Sequence, residues 1–354
     1  MPGLTDELDR RLLNALQEQI PLVERPFEAI GARLGIDEAE TLRRVQSLRG
    51  KPGGVIRQIS AIFDSRALGY QSTLVAAKVP EARIDAAAEV IGAHPGVSHS
   101  YRRTHAYNLW YTLAIPPDSQ LGLHRTVDLL HALSGAAVTR LMPALRVFKI
   151  GVKFDLSTEV DLTARAEGRI PHEVAPAAIT ERDKRLIRVL QQDLSVISRP
   201  FDTWAKEAAC GVAELLVAAN RYIESGVMRR FSAVLRHRAA GFTANAMGAW
   251  DVPAEQRESF GRIAASFAAV SHCYERPTYE DWDYSIFTMV HAKDVPACEE
   301  ALEEIGKASG IDRHISLYST HEYKKARVQY FTPDVALWER AMRLVETTRT
   351  VLSI

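Results

Sequence analysis

The stretch LTDELDRRLLNALQEQIPLVERPF, residues 4–27, occurs a second time as ITERDKRLIRVLQQDLSVISRPF, residues 179–201. Asp9 in the first copy corresponds to Asp183 in the second, and both copies end in Arg-Pro-Phe. The copies lie about 175 residues apart in a chain of 354 residues. A repeat of this length predicts two half-chains that share one architecture.

The repeat continues beyond this opening stretch. Three further pairs of segments match, namely GVIRQISAIFDSRALGY (54–70) with GVMRRFSAVLRHRAAGF (226–242), VSHSYRR (97–103) with VSHCYER (270–276), and FKIGVKF (148–154) with YKKARVQY (323–330). Because the spacing is nearly constant, the two halves are expected to match element by element.

Each half begins with a helical pattern. Between residues 5 and 50, apolar residues recur at the spacing of three short helices. Pro26 suits a first helical turn, and Gly35 and Gly50 suit helix ends. The strand pattern VIRQISAIF, residues 55–63, follows directly. Three helices followed by a strand predict a winged helix-turn-helix.

The next hundred residues of each half alternate between strand and helix patterns in the order βαββαβ, which predicts a ferredoxin-like module. In the first half, residues 138–154 are expected to form one long closing strand. The predicted fold is therefore α+β, a tandem repeat of winged helix and βαββαβ module, forming an intramolecular pseudo-dimer whose two sheets face each other. The expected boundaries are 1–54, winged helix; 55–156, βαββαβ; 157–178, linker; 179–226, winged helix; 227–332, βαββαβ; and 333–354, a closing helix.

Composition excludes several classes of protein. Lys plus Arg and Asp plus Glu both number 44, so the chain lacks the basic excess of a general polyanion binder. The three cysteines, Cys210, Cys273 and Cys298, form no CxxC pattern and argue against a disulfide scaffold. No apolar run of 18 residues and no basic-then-apolar leader occurs, which predicts a cytoplasmic protein without a membrane segment. Nucleotide-loop and HExxH zinc motifs are also missing, so no separate cofactor or protein-bound metal is expected.

The helical units carry little charge for DNA binding. Residues 4–50 contain nine acidic and seven basic side chains, and residues 180–226 contain seven of each. Since DNA affinity depends largely on neutralising phosphates, we expect neither unit to read duplex DNA.

A winged helix followed by a βαββαβ module resembles the Lrp/AsnC family of transcriptional regulators. In that family the helical part binds DNA, and the βαββαβ part binds a small effector and dimerises. Two longer motifs are closer to one branch: SHSYRRTHAYNLWYTL (98–113) resembles the NirD type of siroheme decarboxylase subunit, and SHCYERPTYEDWDYSIFTMVH (271–291) resembles the NirL type. The whole chain thus resembles a fused NirDL-type siroheme decarboxylase.

The resemblance implies a carboxy-lyase that converts siroheme to 12,18-didecarboxysiroheme, with loss of two CO₂, on the route to heme d1. It implies siroheme as the partner, with the iron carried by the substrate, and no DNA. It leaves open whether the chain also forms a homodimer or meets other heme d1 enzymes. The alternative is an Lrp/AsnC-type regulator that responds to heme, and analysis of the tetrapyrrole after anaerobic incubation would distinguish the two.

A substrate with eight carboxylates needs cationic side chains around an aromatic wall, and the planar guanidinium of Arg suits carboxylates. The apolar strand residues Phe148, Ile150 and Val152 correspond to Tyr323, Lys325 and Arg327 in the second half. A core face should stay apolar, so this exchange indicates that one of the two faces meets an anionic ligand. The predicted substrate-binding residues are Tyr101, Arg102, Arg103, Arg146, Lys149, Arg276, Tyr284, Lys324, Lys325 and Arg327.

Two histidines are the predicted proton donors, His105 first and His321 second. The site is expected between the strands around residues 101–110 and 318–327. Other interpretations stay open for several residues: Arg102 and Arg103 as solvated strand-end charges, His105 as a surface histidine, the aromatic cluster Tyr274, Tyr279, Trp282 and Tyr284 as core packing, and the paired His99 and His272 as structural.

Overall fold

The computed structural model describes residues 6–50, 54–151, 176–236 and 244–352. The first half contains α1 (Glu7–Glu18), α2 (Pro26–Leu34), α3 (Glu38–Arg49), β1 (Ile56–Phe63), β2 (Gln71–Lys78), α4 (Ile84–Gly92), β3 (Val97–Arg103), β4 (Leu109–Ile115), α5 (Gly122–Ser134), β5 (Val138–Met142) and β6 (Arg146–Ile150). The second half contains α6 (Glu181–Leu190), α7 (Phe201–Glu207), α8 (Val212–Glu224), β7 (Met228–Leu235), β8 (Ala244–Trp250), α9 (Arg257–Ser266), β9 (Val270–Glu275), β10 (Ile286–Ala292), α10 (Val295–Ser309), β11 (His314–Lys325) and α11 (Asp334–Leu352). The α+β tandem repeat predicted from the sequence is confirmed.

The helices of each winged unit begin and end at residues with a local reason to do so. Asp6 and Asp37 accept hydrogen bonds from the first turns of α1 and α3. Helix α2 starts at Pro26 and ends at Gly35, whose φ of 76° is a left-handed conformation that favours glycine. Thr180 forms a reciprocal capping box at the start of α6.

The first strand of each half joins the two helical units. Strands β1 and β7 pair antiparallel in a two-stranded ribbon, separate from the main sheet. The structure therefore differs from the predicted boundary at residue 55, because β1 pairs with the other half instead of with its own βαββαβ module. One apolar core, which includes Leu13, Phe27, Leu190 and Phe231, runs through both helical units and the ribbon.

The remaining strands form a nine-stranded sheet in the order β5-β2-β4-β3-β11-β8-β10-β9-β6. The halves exchange their last strands: β11 pairs with β8 of its own half and then with β3, and β6 pairs with β9. The single strand predicted over 138–154 is instead broken into β5 and β6, around Pro143, which has no backbone N–H to donate. Only residues 143–145 separate β5 from β6, so the two edges of the sheet come together. The predicted linker lies almost wholly outside the described residues.

The sheet has two faces, and both matter for the site. The helix side packs against α4 and α5 in the first half and against α9 and α10 in the second, around separate apolar cores. The inner face lies between the two halves of the sheet and is filled by a third cluster that includes Trp110, Trp282 and Phe287. Alternate residues of each strand therefore belong to different environments.

Helix α11 closes the chain against the first half. The Glu339 side chain is only 2% exposed and accepts hydrogen bonds from the N–H groups of Gln120 (3.0 Å) and Leu121 (3.5 Å) and from the Ser119 hydroxyl. These groups lie just before α5, which has no side-chain cap of its own. A buried carboxylate at a helix start stabilises the N–H groups that lack helical partners.

We expect Glu339→Ala to lower the free energy of unfolding by about 1–3 kcal/mol, because it removes the buried carboxylate that accepts from these partly buried donors. Urea unfolding followed by tryptophan fluorescence measures the effect. The exposed Glu300 of α10 supplies the control, since Glu300→Ala should leave the unfolding midpoint nearly unchanged. Equal midpoints for the two variants would contradict the capping role.

Candidate functional site

Strands β3 and β11 place the two predicted walls of the site side by side. Tyr101 lies opposite Glu322, and His99 lies opposite Lys325. Tyr101 also lies opposite Trp110 of β4, so His99, Tyr101 and Arg103 point to the inner face. Arg102 lies opposite Leu109 and points to the helix side. The pairing therefore divides the predicted site residues between two faces of the sheet.

Three side chains of β3 form a row on the inner face. The rings of His99 and Tyr101 stack 6.2 Å apart at 28°, and the Arg103 guanidinium lies 5.7 Å from the centre of the Tyr101 ring. Arg103 is buried and donates to the Leu317 carbonyl at 2.6 Å, but its Nε has no hydrogen-bond partner in the described structure. An unsatisfied buried guanidinium is costly, and an anionic ligand would supply the missing acceptor.

Further cations surround this row. The cationic cluster comprises four residues, Arg57, Arg230, Lys325 and Arg327. Arg57 donates to the Lys325 carbonyl at 3.1 Å, and Arg327 donates to the Ser60 hydroxyl. No described carboxylate forms an ion pair with Arg57, Arg230 or Arg327, and the only one near Lys325 is Glu322, at 3.4 Å. Burial, followed by the charges of Arg57 and Arg230, lowers the pKa of Arg327. Arg57, Arg230 and Arg327 therefore carry positive charge that no described carboxylate pairs with, whereas Lys325 is paired with Glu322.

The charge of the cluster acts on the row. Burial, followed by the charges of Lys325 and Arg57, lowers the pKa of His99 to about 4. Burial, followed by the charge of Glu322, raises the pKa of Tyr101 to about 12, so its phenol stays protonated. His99 is thus a neutral imidazole at neutral pH, and its Nδ1 bonds the Ser98 hydroxyl at 3.0 Å. Perturbed groups that face uncompensated charge are typical of functional sites.

The second half contains a matching row on β9. The rings of His272 and Tyr274 stack 6.0 Å apart at 29°, and the Arg276 guanidinium lies 4.9 Å from the Tyr274 ring centre. Arg276 is buried, donates to the Met142 carbonyl and has an unpartnered Nε, as Arg103 does. The fold therefore builds two similar rows, one in each half.

On the helix side lies an open cavity of about 1000 Å³ between α4 and the β3–β11 pair. Both predicted proton donors, His105 and His321, line it, together with Arg102 and Lys324. Its wall also carries three acidic side chains, Glu81, Asp85 and Glu89. The cavity is large enough for a tetrapyrrole, but its three acidic side chains offset the three cationic ones that line it, Arg102, Arg103 and Lys324. Its wall therefore offers no excess of positive charge to a substrate with many carboxylates. The inner face, in contrast, carries the positive charge that a substrate with many carboxylates requires.

Four of the predicted substrate-binding cations already have partners on the helix side. Arg102 forms an ion pair with Glu81, and Arg146 with Glu258. Lys324 donates to the Gly92 carbonyl at 2.6 Å and to the His94 carbonyl at 3.2 Å. Lys149 donates to the Phe267 carbonyl at 2.8 Å. Lys149 and Lys324 occupy equivalent places in the two halves, which indicates a shared structural role.

Two further predicted site residues, Tyr284 and His105, pack against a neighbouring aromatic side chain. Tyr284 lies against Trp282, with ring centres 5.1 Å apart, as part of the cluster on the inner face. His105 sits in the turn after β3, where its Nδ1 accepts a hydrogen bond from the Tyr107 N–H at 3.0 Å. Its ring meets the edge of Trp282 at 5.4 Å. Burial, and then the charge of Lys78, lowers the pKa of His105.

Sequence reasoning missed part of this arrangement. The sequence leaves a site role open for His99, which strand alternation places on one face with Tyr101 and Arg103, but its recurrence as His272 slightly favours a structural role. The sequence assigns no role to Arg57 and Arg230. No spacing rule could bring Arg57 to this row, because the contact depends on the position of the ribbon.

Comparison with known proteins decides the family. The profile of the Siroheme decarboxylase NirDL-like HTH domain matches residues 9–57 and 183–229, and that of the AsnC-like ligand binding domain matches residues 67–149 and 239–324. The siroheme decarboxylase of Hydrogenobacter thermophilus is 38% identical over 333 residues, which cover 94% of this chain and 97% of the relative. The chain belongs to the siroheme decarboxylase family. The crystal structure of the siroheme decarboxylase NirDL with an iron-uroporphyrin III analogue is 33% identical, with a TM-score of 0.75, and the match covers 96% of this chain and 99% of that one.

Other siroheme decarboxylases are divided into separate subunits. The beta subunit from Methanosarcina barkeri is 40% identical over 147 residues, which cover 42% of this chain and 97% of that subunit. One half of this chain therefore corresponds in length to a whole subunit. In this chain, the pairing of β1 with β7 and the exchange of β6 and β11 are contacts within one chain. If the two halves were separate subunits, the same contacts would lie between subunits.

Two arginines of α3 in this member of the siroheme decarboxylase family, Arg43 and Arg44, are engaged in ion pairs. Arg44 of α3 contacts Asp6, Asp9 and Glu40, and Arg43 also contacts Glu40. We expect no nanomolar duplex binding at physiological salt, because these pairs leave few charges for phosphates. A gel-shift titration with the chain's own promoter checks this, and a nanomolar complex would favour the regulator interpretation.

None of the described helices is long and apolar enough to cross a membrane. No group of three His, Cys, Asp or Glu side chains within the described ranges is arranged to hold a metal ion.

Proposed function

We propose that this chain is a carboxy-lyase that converts siroheme to 12,18-didecarboxysiroheme on the route to heme d1. Each of two acetate side chains loses CO₂, and a proton takes the place of the carboxylate on the remaining methylene carbon. The iron belongs to the substrate, and the macrocycle itself can accept the electrons of the broken bond. No separate cofactor is required in this scheme.

The observation that carries the proposal is the cationic cluster beside the His99–Tyr101–Arg103 row. Siroheme has a flat aromatic plane and eight carboxylates, and the row offers stacked rings next to Lys325 and to arginines that no described carboxylate pairs with. Such cations form short, charge-assisted hydrogen bonds with carboxylates. The sequence relationship to siroheme decarboxylases supports the same chemistry independently of this geometry.

The cations position the substrate. Lys325 and Arg327 would hold carboxylates that are retained, so that the acetate that reacts is fixed in orientation. Arg103 approaches from the buried end of the row, where its free Nε would meet a further carboxylate oxygen. Tyr101, which stays protonated, would pack its ring against the macrocycle and donate its hydroxyl hydrogen.

We assign the proton transfer to His99, in place of the predicted His105 and His321, because those two line the helix-side cavity, which has no excess of cations. In the free protein, burial, followed by the charges of Lys325 and Arg57, lowers the pKa of His99 and keeps the ring neutral. A bound polycarboxylate would neutralise Lys325 and Arg57, so the pKa of His99 should rise and the ring should take up a proton. His99 could then donate this proton to the methylene carbon after CO₂ leaves.

This coupling predicts that binding strengthens as the pH falls. The pKa of His99 is about 4 in the free protein and is expected to be higher in the complex. At pH values between these two pKa values, His99 takes up one proton when the ligand binds. We expect the affinity for iron uroporphyrin to rise by up to about tenfold per pH unit as the pH drops through the higher pKa. Calorimetry in two buffers with different ionisation enthalpies would detect the proton uptake. His99→Gln should remove that uptake, and its persistence would exclude His99.

The direct test of the function is incubation of the purified full chain with siroheme under anaerobic conditions, followed by mass analysis of the tetrapyrrole. We expect a product lighter by two CO₂, preceded by an intermediate lighter by one. The control is the variant Lys325→Ile/Arg327→Val, which removes two cations of the cluster. Unchanged siroheme after incubation with the wild-type chain would refute the proposal.

A further inference from the structure

We infer that the two His-Tyr-Arg rows are not equivalent, that the first-half row binds the polycarboxylate, and that Asp64 closes the second-half row to it. This inference rests on the proposed function and addresses how many of the two sites operate. The rows themselves do not discriminate, because each contains a histidine, a tyrosine and a buried arginine in the same geometry. The difference lies in the residues that surround them.

The strand beside each row supplies the first difference. On β11, Lys325 lies opposite His99. On β6, Ile150 lies opposite His272, at the equivalent position of the other half. The first row therefore has an ion pair of Lys325 with Glu322, at 3.4 Å, where the second row has the aliphatic side chains of Ile150 and Val147.

The ribbon supplies the second difference. Arg57 of β1 and Arg229 of β7 occupy corresponding positions of the repeat. The charge of Arg57 acts on His99 in the first row, and the charge of Arg229 acts on Tyr274 in the second row. Arg229 donates two hydrogen bonds to Asp64 Oδ2, at 3.0 and 2.7 Å. Arg57 donates to a neutral carbonyl instead.

Asp64, the partner of Arg229, corresponds in the repeat to a basic residue of the second half. The repeat places Arg236 where the first half has Asp64. Arg236 donates to the carbonyls of Gly54 and Ile56 and so offers Arg57 no counter-ion. One exchange of an acid for a base thus leaves Arg57 without a counter-ion, whereas Arg229 is paired with Asp64. Arg66, which donates to the Ala144 carbonyl, also contributes charge at Tyr274 and is unaffected by this exchange.

Asp64 can be changed without removing its local structural contacts. Its Oδ1 accepts hydrogen bonds from the N–H groups of Arg66 and Ala67, and its Oδ2 faces Arg229. Asp64→Asn retains an amide oxygen for the turn and removes the charge that pairs with Arg229. Combined with Ile150→Lys, it would place beside His272 two cations that match Lys325 and the unpaired Arg57.

The experiment is a titration of the full chain with iron uroporphyrin, followed by absorbance, to determine the number bound per chain. We expect one equivalent for the wild type, loss of at least tenfold in affinity for Lys325→Ile, and two equivalents for Asp64→Asn/Ile150→Lys. The matched control is Asp251→Asn, which removes another ion-paired carboxylate of similar size, outside both rows. It should still bind one equivalent.

The outcomes separate this inference from the function it rests on. Two equivalents for a wild-type chain that decarboxylates siroheme would overturn the asymmetry and leave the function in place. One equivalent for Asp64→Asn/Ile150→Lys, with wild-type circular dichroism, would overturn the role of Asp64. A wild-type chain that neither binds iron uroporphyrin nor consumes siroheme would overturn both.

Discussion

Replacing Lys325 and Arg327 by their first-half counterparts, as Lys325→Ile/Arg327→Val, is expected to weaken iron-uroporphyrin binding by about 10²–10⁴-fold. Each substitution removes one charge-assisted hydrogen bond worth about 1.5–3 kcal/mol, and about 1.4 kcal/mol corresponds to tenfold in affinity. Lys325 lies beside His99, and Arg327 contributes to the same cluster. An absorbance titration under anaerobic conditions gives the dissociation constants.

The neighbouring lysine provides a matched control on the opposite face. Lys324 precedes Lys325 in β11 but donates to the Gly92 and His94 carbonyls on the helix side. Lys324→Met removes the same charge and should leave binding within a few-fold of the wild type. If Lys324→Met weakens binding as much as the double variant does, the substrate occupies the helix-side cavity and the site proposed here is wrong.

The second large effect is expected from His99→Ala, which should reduce the rate of decarboxylation by about 10²–10⁴-fold while iron uroporphyrin still binds. The substitution removes the proposed proton donor and leaves Lys325 and Arg327 unchanged, and general acid catalysis typically contributes a factor of this size. Single-turnover analysis of siroheme separates the chemical step from binding. The product of each carboxylate loss can be followed by mass.

His105→Ala is the matched comparison for His99→Ala. His105 lies two residues beyond β3, where it accepts a hydrogen bond from the Tyr107 N–H and contacts Trp282. We expect its substitution to leave the rate of the chemical step near that of the wild type. A large loss in His105→Ala together with a normal rate in His99→Ala would restore the sequence-based assignment of the proton donor.

Several features of the site could be predicted from the sequence. The replacement of Ile150 and Val152 by Lys325 and Arg327 in the repeat indicated an anionic ligand on one face, because a buried strand has no reason to acquire charge. The structure places Lys325 beside His99, as that argument requires. The same reasoning could not assign Lys324 or Lys149, because strand alternation does not reveal that their ammonium groups contact backbone carbonyls at helix–strand corners.

The sequence by itself determined the tandem repeat, the order of elements in each half and the family. These properties depend on local periodicity and on matching between segments of one chain, and both are visible in a linear string. It did not determine which strands pair across the halves, because strand exchange and the β1–β7 ribbon are long-range contacts with no local signature. Only the tertiary structure decided that Arg57 faces His99 and that Asp64 neutralises Arg229, since electrostatic interaction depends on distance in space and not on separation along the chain.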